Sequence, residues 1–203
     1  MLFRPINRIF IISGVLLALS ACSSKITVKT PSVNDDVVRA EKLRSITLWK
    51  IQGRVSIVAD NDGWSGTIRW KQIDEHFDIR IVGPLGQGSM HLQGSPGFVE
   101  FRSSKDKRSV TAVDAESLLY RQTGWRIPVS GLRFWVLGVS APGDRQILKR
   151  NAQGLPEEFL QSGWKIRLLR YRKISGLMIP AKVFLYNDRF RVKIIVKQWK
   201  LES

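Results

Sequence analysis

The chain has 203 residues, 33 Lys and Arg against 17 Asp and Glu, a formal net charge of +16 at pH 7, and 43 % hydrophobic residues. That length accommodates one domain with a sizeable core, and the hydrophobic share excludes a chain too polar to fold. A single cysteine excludes an internal disulfide framework.

The first residues have the pattern of an export signal. Arg4 and Arg8 supply positive charge, and Ile9 to Leu19 is apolar apart from Ser13 and Gly14. The run is too short and wrongly flanked for an ordinary transmembrane helix. Leu19-Ser20-Ala21-Cys22 then matches the lipobox pattern of bacterial lipoproteins, a leucine and two small residues before a cysteine. By that resemblance residues 1–21 are the signal peptide, the Cys22 thiol takes a diacylglyceryl group, and its new amine is acylated. Several acyl chains make a stable anchor where one would not. Ser23 rather than Asp follows the cysteine, a pattern that implies release to the outer membrane.

Residues 22–36 are polar after the cysteine and read as an acylated anchor with a flexible tether, leaving 37–203 for the folded domain. Residues 37–48 are expected to form a short amphipathic helix, with Val37, Val38, Leu43 and Leu48 on one face and Asp35 or Asp36 as its cap. The period then becomes two. Ile51, Val55 and Ile57 alternate with polar residues, Asp60-Asn61-Asp62-Gly63 signals a hairpin, and Trp64, Gly66, Ile68 and Trp70 alternate again. Further strands are expected at 77–82, 89–94, 98–103 and 108–112, with the loop Gly83-Pro84-Leu85-Gly86-Gln87-Gly88 between the first two.

A helical insert follows. Asp114 can cap a helix over 115–122 that stops at Gly124, and Ser130 can cap a second over 131–137. Strands resume at 146–150, 155–161, 164–172, 179–186 and 190–199, separated by turn pairs such as Ser162-Gly163 and Ser175-Gly176. Hairpin succession implies an antiparallel meander. Curved, such a mainly β sheet of about eleven strands makes a barrel or an open half-barrel, with the helices as a lid over its mouth, a cup suited to a greasy ligand.

Several stretches resemble the outer-membrane lipoprotein LolB family. They include Gly53-Arg54, Trp64-Ser65-Gly66, Trp70, Gly83-Pro84-Leu85-Gly86 and Asp114-Ala115-Glu116 with Leu118-Leu119. Gly124-Trp125, Ile127-Pro128, Leu132, Trp135, Gln161 with Gly163-Trp164, Pro180 and Trp199 also fit. Single motifs such as Pro-Leu-Gly are weak, whereas their order and spacing together are specific. The resemblance implies an incompletely closed antiparallel β-barrel of eleven strands with an α-helical lid over an apolar cavity, in a monomeric receptor that is lipid-anchored on the outer membrane and faces the periplasm. It would accept lipoprotein cargo by its acyl chains from the soluble carrier LolA and insert it among outer-membrane phospholipids. Neither nucleotide hydrolysis nor a cofactor is implied, beyond the acyl groups on Cys22.

The resemblance also implies roles for residues. Leu85, shaped by Pro84 and Gly86, would deliver cargo into the membrane from a protruding loop. Ile57, Ile68, Trp70, Ile79 and Leu92 are candidates for the acyl cavity, and Leu118, Leu119, Leu132, Phe134 and Trp135 for the lid above it. For Leu85 the bland alternative is one exposed leucine among many. For any one tryptophan it is ordinary core packing; for Arg54, a strand arginine read either as a hydrogen-bond donor to the lid or to a lipid headgroup, it is an outward solvated charge.

Other classes carry less weight. No nucleophile, metal or paired-carboxylate constellation stands out, so an enzyme is not expected. His76 and His91 lack companions for a metal site. A basic chain invites a nucleic-acid reading, but an exported lipoprotein does not meet nucleic acid. The charge, dense at 164–173 and 189–200, suits anionic headgroups or an acidic carrier mouth. The competing reading is a membrane-anchored structural or assembly lipoprotein that binds a protein partner, for which neither the loop nor a lid is needed.

Overall fold

The computed structural model describes residues 33–59 and 62–202. The signal peptide, the lipobox with Cys22 and most of the tether lie outside them. Among the described residues, one helix precedes a run of six strands, two helices follow, and five strands end the chain. These are α1 (Val33–Arg44), β1 (Leu48–Ala59), β2 (Asp62–Ile73), β3 (His76–Val82), β4 (Ser89–Ser95), β5 (Phe98–Ser103) and β6 (Asp106–Ala112). Then come α2 (Ala115–Thr123), α3 (Val129–Trp135), β7 (Gln146–Arg150), β8 (Pro156–Gln161), β9 (Trp164–Ile174), β10 (Leu177–Tyr186) and β11 (Phe190–Glu202).

All eleven strands belong to one antiparallel sheet ordered β6-β5-β4-β3-β2-β1-β11-β10-β9-β8-β7. Every neighbour is a hairpin partner except β1 and β11, the first and last strands, which pair with each other. The free edges, β6 and β7, are consecutive in sequence and do not pair. Their connection carries α2 and α3, so the chain that would have closed the barrel bridges its open side. On one side of the opening α2 packs against β6 and β5.

Two turns show why the strands double back where they do. Ser162 and Gly163 lie at φ 51° and 74°, and Ser175 and Gly176 at 47° and 82°. Paired positive φ values make the two-residue hairpin turn that matches strand twist. Gly53 faces Val196 where β1 shifts register against β11. A Cβ there would meet the Ile195 carbonyl oxygen, so only glycine permits that approach.

The core is a single cluster from Ala40 to Val196, formed by the inner face of the sheet, α1 and the two lid helices. Most strand limits fall within two residues of those expected from periodicity. The first helix differs. It starts at Val33, inside the stretch read as tether, and ends before Leu48, which opens β1. Asp35 and Asp36 occupy its first turn instead of capping it. Val37 and Val38 point outward, at 46 % and 50 % exposure, while Ala40 and Leu43 enter the core. A buried polar anchor sets this rotation. Asp36 Oδ1 accepts from Arg39 Nε and Nη2 at 3.1 and 2.9 Å. Asp36 Oδ2 accepts from Arg150 Nη1 at 2.8 Å. Arg39 donates further to the Met178 and Gly138 carbonyls at 2.8 and 2.9 Å, tying α1 to β10 and to the end of the lid. Turning Val37 and Val38 inward would strand two buried charges, a larger cost than exposing two valines.

Candidate functional site: an apolar cavity under a lid and a projecting loop

Asp114 caps α2 as expected, its carboxylate accepting from Ser117 N at 2.7 Å. That bond holds the Asp114 carboxyl below its ordinary pKa. Gly124 ends the helix in a left-handed conformation, φ 77°. The second helix departs from expectation. It starts at Val129 behind Pro128, without a side-chain cap. Ser130 instead donates from both its amide and its hydroxyl to Glu116 Oε1, at 2.9 and 2.7 Å. These bonds couple α2 to α3, so the two helices form one unit.

Between this unit and the sheet lies a wholly apolar cavity of about 70 Å³. Ile57, Ile68, Trp70, Ile79 and Leu92 line it from β1 to β4, and Leu119 and Leu132 from the lid. Leu118, Phe134 and Trp135 do not reach it. Leu118 and Trp135 are fully buried elsewhere in the core. Phe134 packs in a separate cleft near Ile46, Trp49 and Leu137. A helix presents only part of its circumference to the sheet, and on these helices that stripe holds Leu119, Val129 and Leu132.

Residues absent from the sequence-based set complete the lining: Val55, Ile81, Met90, Phe101, Trp125, Ile127, Val129, Val192 and Ile194. Most were legible as the same alternating face. Val55 precedes Ile57 in phase, and Val192 and Ile194 hold the matching phase of β11. Trp125 stands over Trp64 with ring centroids 5.9 Å apart, closing the lid against β2.

The lid is fastened at its far end by a buried side chain. Gln161 Oε1 accepts from Trp135 Nε1 at 2.8 Å and from Ala141 N at 2.9 Å, and its amide donates to the Ala141 carbonyl at 2.9 Å. Near the cavity floor Trp70 Nε1 donates to Gln72 Oε1 at 2.9 Å. No titratable group lines the cavity, so it offers shape and apolar surface but no acid, base or nucleophile. Among the described residues no cluster of His, Cys, Asp or Glu could hold a metal ion, and no helix is long and apolar enough to cross a membrane.

The second feature is the loop after β3. Pro84–Gly86 form a single 3-10 turn, and Leu85 sits within it at φ 52°, ψ 26° with 99 % exposure. The Gly83 amide donates to the Gly88 carbonyl at 2.9 Å and that of Gln87 to Pro84 at 3.0 Å, so the loop is closed on itself. Left-handed backbone costs a leucine about 1–2 kcal/mol. A strained leucine with no core contact gains nothing from the fold around it. Arg54 faces outward on β1, as the bland alternative for it has it.

A family model described as outer membrane lipoprotein LolB matches residues 47–199. Curated proteins named outer-membrane lipoprotein LolB align over nearly their full length. One from Nitrosococcus oceani is 35 % identical, covering 96 % of this chain and 98 % of its own. One from Pseudomonas aeruginosa is 32 % identical, covering 95 % and 96 %. A crystal structure of a LolA superfamily protein from Nitrosomonas europaea superposes with a TM-score of 0.53 at 10 % identity, covering 85 % of this chain and 94 % of that one, which shows a shared fold. This chain belongs to the LolB family of outer-membrane lipoproteins.

Proposed function

We propose that this protein accepts lipoproteins from a LolA-type periplasmic carrier, holds their acyl chains between sheet and lid, and inserts them into the inner leaflet of the outer membrane. The observation that carries this reading is the fully exposed Leu85 on a closed, glycine-bounded loop, in a molecule that also encloses a wholly apolar cavity under a helical cover.

Exposing one acyl chain of about sixteen carbons to water costs on the order of 12 kcal/mol. Transfer between apolar sites that meet at their mouths avoids that cost, and relative affinity sets its direction without nucleotide hydrolysis. At about 70 Å³ the cavity is smaller than the ~150 Å³ that admits one benzene ring. The described conformation is therefore closed, and cargo enters when the α2–α3 unit lifts. The exposed cavity wall is wholly apolar, and the buried polar bond that the motion must release is the clasp of Trp135 on Gln161. Leu85 enters the membrane surface and brings the mouth to the leaflet. The acyl groups on Cys22 keep the domain there, and no further cofactor takes part.

The test uses a soluble form beginning at Ser23, a carrier loaded with labelled lipoprotein, and outer-membrane vesicles. The wild type takes the label and passes it to the vesicles, whereas Leu85→Glu takes the label and retains it. If no label leaves the carrier, the acceptor reading is wrong and a scaffold that binds a protein partner replaces it.

A further inference from the structure

The outer face of the sheet carries a second site beside the Leu85 loop. Strand pairing puts Arg54 opposite Thr67 on β2 and Ile195 on β11, and Ser56 opposite Ser65 and Lys193. Thr67 pairs in turn with Val82, the last residue before the loop. The result is a groove of about 270 Å³ whose rim includes Pro84 itself. Two cationic residues and three hydroxyl residues line it, and no carboxylate does. Among the described residues Arg54 has neither a hydrogen bond nor an ion pair, unlike Arg80, Arg102 and Arg150, each of which meets a carboxylate. Among the described residues Lys193 has no ion pair, and its Nζ lies 5.9 Å from the Phe184 ring centroid.

We propose that this groove binds the phosphate of an anionic phospholipid headgroup, seating the domain on the membrane with Leu85 directed into it; the inference rests on the membrane-facing role of that loop. The chemistry fits this ligand. A guanidinium and an ammonium offer charge-assisted bonds to phosphate oxygens, and the hydroxyls of Ser56, Ser65 and Thr67 supply further donors. Val82 and Ile195 are exposed beside these polar groups, and Leu85 lies one residue beyond Pro84. An apolar shoulder next to a cationic floor reproduces the order of the interface itself, acyl region below and headgroup above. The excess of Lys and Arg over Asp and Glu along the chain attracts it to an anionic surface, and the groove gives that attraction a place to dock.

The experiment measures binding of the form beginning at Ser23 to vesicles of phosphatidylcholine, with or without phosphatidylglycerol. That form retains the whole core, Ala40 to Val196. Wild type binds the mixed vesicles more tightly. The double variant Arg54→Gln/Lys193→Gln loses about 30-fold on them, each surface cation contributing about five-fold. A control with the same charge change, Arg172→Gln/Lys173→Gln at the β9–β10 turn, loses less than about three-fold. Circular dichroism verifies that both variants fold. Equal losses in the two variants would make the attraction diffuse and overturn the groove. A groove variant that binds as wild type while Leu85→Glu does not would overturn the groove and leave the loop's role standing. If Leu85→Glu binds as wild type and the groove variant does not, the loop reading is what fails. Displacement by inorganic phosphate beyond that by chloride at matched ionic strength would assign the groove to a soluble phosphate instead. Unchanged vesicle binding with slowed uptake from the carrier would make it a protein-docking surface. Either result overturns the lipid assignment.

Discussion

Trp135 on the lid and Gln161 on β8 share a buried hydrogen bond of 2.8 Å across 26 residues of chain. The same glutamine oxygen accepts from the Ala141 amide and its nitrogen donates to the Ala141 carbonyl, so one side chain satisfies three groups of the lid segment. Gln161→Leu leaves all three without partners and lowers unfolding free energy by about 3 kcal/mol, whereas Trp135→Phe removes one bond and costs nearer 1 kcal/mol for that bond. Denaturant titration of both variants checks the order.

The Asp36 anchor predicts a steeper loss. Asp36 and Arg39 are 5 % and 8 % exposed, so removing the carboxylate leaves a buried guanidinium uncompensated. Asp36→Ala destabilises by about 3–5 kcal/mol. Asp36→Asn keeps the shape and two acceptor lone pairs and costs less. Equal losses for both variants would show that charge, not bonding geometry, holds α1 in place.

Leu85 is predicted to be neutral or slightly unfavourable for stability. Leu85→Gly relieves a left-handed backbone and raises unfolding free energy by up to about 1 kcal/mol. The same variant fails to deliver cargo in the vesicle assay. A stabilising substitution that abolishes delivery separates the loop's function from the fold, and a marked loss of stability would instead mean that the side chain packs on something.

Gly53→Ala places a methyl group on the Ile195 carbonyl in the β1–β11 pairing. That ladder joins the two halves of the sheet, so the strain has no edge at which to relax. The expected cost is about 2–3 kcal/mol. Gly97→Ala, in an open turn where a Cβ meets nothing but the backbone φ is 86°, serves as the comparison that carries conformational strain alone.

The cap of α2 gives a pH dependence. Hydrogen bonding to the Ser117 amide lowers the Asp114 carboxyl below its ordinary value of 3.8. A carboxyl whose folded pKa is depressed contributes stability that is fully present above its unfolded pKa and is lost as pH falls through the folded one. Thermal melts of wild type and Asp114→Asn therefore differ above pH 4 and converge below it. A constant difference down to strongly acidic pH would assign the cap's effect to something other than its charge.

Much of this protein is determined by local sequence. Alternation in residues such as Ile51, Val55 and Ile57 is a property of each strand alone, because side chains on a pleated backbone take opposite faces by turns. Turn pairs such as Ser162-Gly163 mark the reversals for an equally local reason, since positive φ suits few residues. The Leu85 loop was visible because its glycines and proline bound it. The tertiary structure alone decided three things. It paired β1 with β11, a contact between the first and last strands that no local pattern encodes. It rotated α1 so that Ala40 and Leu43 face inward and Val37 and Val38 outward, because a buried Asp36–Arg39–Arg150 network outweighs two valines. It also chose which side of each lid helix meets the sheet, bringing Leu119 and Leu132 to the cavity and leaving Leu118, Phe134 and Trp135 outside it. Each of these turns on partners distant in sequence, and hydrophobicity alone does not distinguish an apolar residue that lines a cavity from one that packs beside it.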